Sequence, residues 1–207
     1  MAEVTAQLVK QLRDRTGAGM MECKSALVEA NGDLDLAEIV LRKRGMASAS
    51  KKSSRSAQQG FIGTYVHPGA QLGVIIEVNC ESDFVARTDD FQNLVKDLAM
   101  QVAAADPRFI RREDVTQDVL DREREIARDR AKAEGKPDKI LDRIVEGRLE
   151  KYYEEVCLLE QPFIRDNTTA IGEMVKQTIA KLGENIVVAR FARFKVGETA
   201  APPAPAE

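Results

Sequence analysis

The sequence holds a single histidine, His67, and only three cysteines, Cys23, Cys80 and Cys157, which lie far apart and outside any CxxC pair. That scarcity excludes much of the chemistry on which soluble enzymes rely. A histidine-based triad or a zinc site would have to be assembled around His67 alone, without clustered cysteine partners. Pro68 beside it marks a hairpin turn, where a histidine is ordinarily a solvated residue. An odd number of scattered cysteines argues for reduced thiols in a cytosolic protein, each behaving as a small buried hydrophobe. The stretch MAEVTAQLVK has an acid where a signal peptide needs cations, and no long apolar run. Neither a targeting segment nor a membrane span is expected, and the expected location is the cytoplasm. The formal net charge of -3 supplies no pull toward phosphate-rich partners.

What is present is a globular composition. With 207 residues, 43% hydrophobic and 31% charged, the chain can bury a core as one ordinary domain or two small ones. Val4, Leu8, Val9 and Leu12 recur at helical spacing; TGAG interrupts them, and Met20, Cys23, Ala26, Leu27 and Ala30 resume the pattern. Asn31-Gly32-Asp33 stops the second helix, and Leu36, Ala37, Val40 and Leu41 define a third that is expected to end near Gly45. Residues 1–45 therefore read as a three-helix domain. The segment 46–59, containing SASKKSSRSAQQ, has little apolar content and reads as a linker, with partly helical structure left open.

From 60 to 197 the pattern is that of an α+β core. FIGTYV and LGVIIEVNC flank a Pro68-Gly69 reversal and form a hairpin. Phe91, Leu94, Val95, Leu98, Ala99 and Val102 make a helical stripe that stops before Asp106-Pro107. A charged helix, a break at Gly135-Lys136-Pro137 and a returning apolar stripe from Ile140 to Val156 predict an antiparallel helical hairpin over about 114–158. A further helix from Ile171 to Leu182 and the strand ENIVVARFARFKV complete a small three-stranded antiparallel sheet with helices on one face. The tail 198–207 is Pro- and Ala-rich and is expected to be disordered.

No catalytic constellation emerges. Gly17 to Ser25 has glycines before Lys24-Ser25, but Cys23 stands where a phosphate loop needs glycine and a helix precedes it in place of a strand. The carboxylates between Asp118 and Asp129 alternate with arginines, the pattern of a solvated helix face. Binding is the better class of explanation, and VNCESDFVAR, residues 78–87, offers the candidate. Asp83-Phe84 falls at the turn between a buried strand and a helix, with no slot for Phe84 in either pattern. Two readings stand open: Phe84 tucks under the sheet edge while Ser82 or Asp83 caps the helix, or Phe84 projects as a preorganised anchor for a partner.

The stretches LVKQLRDRTGAGMMECKSAL, EANGDLDLA, VNCESDFVAR and GENIVVARFARF together resemble the bacterial translation elongation factor Ts family over nearly the whole chain. Ser82 replaces the threonine usual in that motif. One set of core strands and a modest helical hairpin, EGKPDKILDRIVEGRLEKYYEEVCLLEQPF, are similar to its short form with a single core subdomain. The resemblance implies a guanine-nucleotide exchange factor for elongation factor Tu, not an enzyme, with no cofactor or metal of its own. It implies that the N-terminal domain is of the ubiquitin-associated type and docks on the nucleotide-binding domain of Tu through Arg13, Met20 and Met21. It implies that Ser82, Asp83, Phe84 and Val85 push in beside the magnesium site of Tu. It also implies a homodimer, with the last strand around Val187 to Phe194 as the candidate contact. The alternative is an RNA-binding accessory protein of the translation apparatus, using Arg42-Lys43-Arg44, Lys51-Lys52 and Arg55.

Overall fold

A computed structural model of the chain describes residues 4–198, so the tail expected to be disordered lies, from 199 onward, outside the described residues. The fold is α+β. In chain order the helices and strands are α1 (Ala6–Thr16), α2 (Met20–Glu29), α3 (Leu34–Lys52), β1 (Gln59–Val66), β2 (Leu72–Cys80), α4 (Asp83–Ala86) and α5 (Asp89–Ala105). They continue with α6 (Gln117–Ala133), α7 (Asp138–Val156), β3 (Pro162–Phe163), β4 (Asp166–Ala170), α8 (Ile171–Leu182) and β5 (Ile186–Lys195). The residues fall into two compact units, one built from the chain up to Phe61 with 79–94 and 173–187, the other from 62–78, 95–172 and the chain from Val188 on.

In the first unit α1 and α3 each start at a polar cap. The Thr5 hydroxyl accepts from the Leu8 amide at 3.3 Å, and Asp33 Oδ1 accepts from the Asp35 and Leu36 amides, each at 2.9 Å. Val9, Leu12, Cys23, Ala26, Leu27, Ala30 and Ala37 form one buried cluster. The third helix departs from expectation. It does not end near Gly45 but continues to Lys52, through the first half of the segment read as a linker. Gly45 is there for space: a Cβ on it would lie 2.9 Å from Ala180 Cβ of α8. Ala49, inside the same low-apolar stretch, is buried, so small residues mark a packed helix face. Arg42 reaches Glu173 at 2.8 Å and Lys181 reaches Asp90 at 2.7 Å, tying α8 to α3 and α5.

In the second unit the expected helical hairpin is present. Arg148 donates to the Ala127 carbonyl at 3.0 Å and to Glu134 at 2.8 Å, and Arg128 pairs with Asp142, contacts that require α6 and α7 to run antiparallel. Leu120, Ala127, Val145, Leu149 and Val156 form the seam between them. The long strands are ordered β1-β2-β5. His67 N donates to Leu72 O at 2.9 Å to close the β1–β2 hairpin, and Val196 N donates to Gln71 O at 2.9 Å, which sets β5 antiparallel to β2. A second, two-stranded sheet pairs β3 with β4. It is held by the buried Gln101, whose side chain accepts from the Ile164 amide at 2.9 Å and donates to the Pro162 carbonyl at 3.2 Å.

Gly63 of β1 lies where a Cβ would run into Val95 Cγ1 and stand 3.2 Å from Ile76 Cγ2. Gly63→Ala should therefore overpack this site and lower stability by about 1–3 kcal/mol, seen as a lower urea midpoint with an unchanged slope. An unaltered midpoint would mean that α5 is not seated on β1 at this point.

Candidate partner-binding site

The residues singled out at 82–85 are positioned by the end of β2. That strand buries Val74, Ile76, Val78 and Cys80 at alternate positions, and the chain then turns into a one-turn helix. Ser82 is the cap: its backbone is extended, at φ −129° and ψ 155°, and its hydroxyl oxygen accepts from the Val85 amide at 3.4 Å. Thr88 repeats the device one turn later, accepting from the Phe91 amide at 3.3 Å and donating to the Val85 carbonyl at 2.8 Å. Two caps six residues apart leave α4 no freedom to merge with α5.

This phase decides the fate of Phe84. Successive helical side chains are about 100° apart, so with Ala86 buried the side chain two positions earlier points roughly the opposite way. Phe84 is 79% exposed. The reading in which it tucks under the sheet edge is thereby overturned, while the capping role for Ser82 is present. Asp83 accepts from Arg87 Nη2 at 2.9 Å across one turn, but with both side chains largely exposed the pair contributes little and leaves the carboxylate accessible. Cys80 donates its S–H to the Ser82 carbonyl at 3.1 Å, and burial pushes its thiol up, so it is a packing residue and no nucleophile.

Two residues outside the motif, Glu184 and Asn185, carry this turn together with Glu81 inside it. The Glu184 carboxylate accepts from Glu81 N at 3.1 Å and Ser82 N at 3.0 Å through one oxygen, and from the Ser82 hydroxyl at 2.6 Å through the other. Asn185, 2% exposed, donates its amide N–H to Glu81 Oε1 at 2.7 Å and its side-chain amide to the Arg55 carbonyl at 2.8 Å and, at 3.4 Å, to that of Ser53. Periodicity could not have found Glu184, Asn185 or Glu81, because each is a polar residue at an element end and its partners are remote in sequence. The N-terminal candidates form a second exposed group. Arg13 lies near the end of α1, and Met20 and Met21, 45% and 76% exposed, open α2 on the other side of the Gly17–Gly19 turn.

The model of the family described as elongation factor TS matches residues 46–198. Elongation factor Ts of Solibacter usitatus is 70% identical over 198 residues, covering 96% of this chain and 93% of its own length. That of Caldanaerobacter subterraneus is 56% identical over 94% of this chain and 98% of its own length, and that of Koribacter versatilis 55% identical over 94% and 89%. The chain belongs to the elongation factor Ts family.

It is therefore a translation elongation factor. The features that competed with this family's motif have structural occupations. Gly17 to Ser25 is a turn followed by α2. Three arginines of the basic run are paired at the surface: Arg42 with Glu173, Arg44 with Glu29 and Ser25, and Arg55 with Glu81 at 3.5 Å. A cleft of about 500 Å³ in the first unit is lined by Lys52 and by Arg15, Arg42, Arg44 and Lys181, of which the last four each meet a carboxylate. No helix of the described residues is long and apolar enough to cross a membrane.

Because Phe84 packs on so little of its own chain, Phe84→Ala should change folding stability by no more than about 0.5 kcal/mol. Denaturant unfolding of the variant checks this. A loss of about 3–5 kcal/mol, the cost of truncating a core phenylalanine, would show that the side chain is buried in solution.

Proposed function

We propose that this chain is the guanine-nucleotide exchange factor of elongation factor Tu, acting in the cytoplasm and transforming no substrate itself. The observation that carries the reading is Phe84, a large apolar side chain 79% exposed on a turn capped at both ends. Interface energy concentrates in such preorganised aromatic anchors. Phe84 enters an apolar pocket of Tu, Val85 and Ser82 follow it to the surface, and Asp83 brings a carboxylate to the side chains and water around the magnesium ion of Tu. Mg²⁺ neutralises the phosphates of bound GDP, so a wedge that disturbs it removes much of what holds the nucleotide. Coupling is reciprocal: a factor that weakens GDP binding is weakened by GDP to the same degree, so nucleotide binding ejects it. The three N-terminal helices act as a docking module of the ubiquitin-associated type, with Arg13 and the adaptable Met20 and Met21 on its contact surface.

Mixing the chain with Tu loaded with labelled GDP should accelerate release, with no GTP hydrolysis by the chain alone. Phe84→Ala should weaken binding to nucleotide-free Tu by about 2–4 kcal/mol. Asp83→Asn should lower release more than affinity, and Met20→Ala with Met21→Ala should raise the concentration needed without changing the maximal rate. Release unchanged by saturating parent chain would refute the assignment.

The homodimer is proposed on the second unit's sheet. The Arg190–Glu77 pair at 2.7 Å puts Arg190 on the face of β2 that bears Ile75, and Phe194 shares its alternation on β5, one of the two edge strands. Gly63 faces Ile76 across the other side, which leaves Ile62 and Val66 with Ile75. Ile62, Val66, Ile75 and Phe194 are 54%, 63%, 49% and 65% exposed, an apolar face suited to a second copy. Light scattering at micromolar concentration should give twice the chain mass; a monomer both alone and with Tu would exclude this contact.

A further inference from the structure

A wedge transmits force only if its direction is fixed, and α4, with four residues, cannot fix itself. Its orientation comes from Glu184, whose carboxylate takes three donors from two consecutive residues: Glu81 N, Ser82 N and Ser82 Oγ. The hydroxyl contact at 2.6 Å commits the Ser82 proton to Glu184, which turns a lone pair of the same oxygen toward the Val85 amide. One side chain thus sets both the backbone entry into α4 and the sense of its cap. The next residue, Asn185, fixes Glu81 from the other side and holds the carbonyls of Ser53 and Arg55, just beyond the end of α3. Glu184 is half-buried and has no hydrogen bond to Asp83 or Phe84, so whatever it does for them passes through Ser82.

We infer that Glu184 is a positioning residue for exchange: through Ser82 it fixes the direction in which Phe84 and Asp83 are presented, without itself touching the partner. This rests on the exchange reading above. A loosened cap leaves the N-terminal docking surface intact, so the complex still assembles but its maximal rate drops. An ångström-scale misplacement of a working group costs one to two orders of magnitude in rate.

The test compares the full-length parent, Glu184→Ala and Glu184→Gln, the last retaining one carbonyl acceptor for the backbone donors. Amide hydrogen exchange in the free protein reads the cap without any partner. In Glu184→Ala, exchange at Ser82 and Val85 should quicken by about tenfold or more, while the α5 interior keeps its protection. With GDP-loaded Tu, the release rate at saturating factor should fall about tenfold, the half-saturating concentration should move less than about threefold, and Glu184→Gln should fall between parent and alanine variant. A purely architectural role would lower the thermal midpoint yet leave the saturated rate of the folded protein at the parent value, and that result overturns the inference. So does unchanged amide exchange at Ser82 and Val85. If the parent itself fails to release GDP, the exchange reading has failed, and the amide data still report separately whether Glu184 fixes the cap.

Discussion

A half-buried carboxylate that accepts three hydrogen bonds is the constraint from which the candidate site follows. Glu184 joins the start of β5 to the end of β2, segments 102 residues apart at the Ser82 contact. Hydrogen bonds to a charged acceptor contribute about 1.5–3 kcal/mol each, roughly twice a neutral one. Removing the carboxylate would also strand the two backbone donors, whose desolvation is then uncompensated. With Ser82 held, α4 starts at a defined residue; with Thr88 capping α5, it ends at one. The exposure of Phe84 is the geometric remainder once Ala86 is turned inward.

That remainder is unfavourable for the free chain and useful to a partner. An apolar ring left in water forgoes about 1.5–3 kcal/mol of burial, which becomes available at an interface. Binding also costs the ordering of whatever it immobilises, and the two caps have already ordered this turn. The same reasoning separates the site from the N-terminal surface. Met20 and Met21 are exposed but unbranched and flexible, suited to adapting to a surface and poorly suited to displacing anything.

Much of the architecture was legible in periodicity, and the exceptions share a cause. The helical stripes, the Pro68-Gly69 hairpin and the break at Gly135 depend on neighbours a few residues away, which a sequence displays directly. Gly45 misled because its absent side chain serves the close approach of Ala180, far along the chain, and so looked like a stop. The segment after it looked like a linker because its buried residue is an alanine. The β3–β4 pair escaped notice because β3 has two residues, too few for alternation, and is held by the side chain of Gln101. At the candidate site the anomaly of Phe84 was visible and so was a cap at Ser82 or Asp83, whereas the choice between an exposed and a tucked ring was not. That choice is made by the phase of α4, which buries Ala86 and starts at a Ser82 held by Glu184, a residue that no local pattern connects to the motif. The arginines of the basic run likewise looked free until the fold brought Glu173, Glu29 and Glu81 to them.

The rigidity of the turn bears on the proposed exchange more directly than on stability. A ligand shifts an equilibrium only by its differential affinity for the two states, here Tu with and without its magnesium-bound nucleotide. A Phe84 that swung freely could withdraw from its pocket when the ion returned while the rest of the interface stayed in place, and the two ligands would then coexist with little mutual penalty. With the Ser82 cap in place, the backbone that carries the ring cannot retreat without disturbing Glu184, Glu81 and the chain beyond α3 that Asn185 secures. The return of nucleotide must then be resisted by the whole contact surface or expel it. On the proposed exchange reading, the hydrogen bonds of one carboxylate would convert an exposed side chain into a coupling between two binding events.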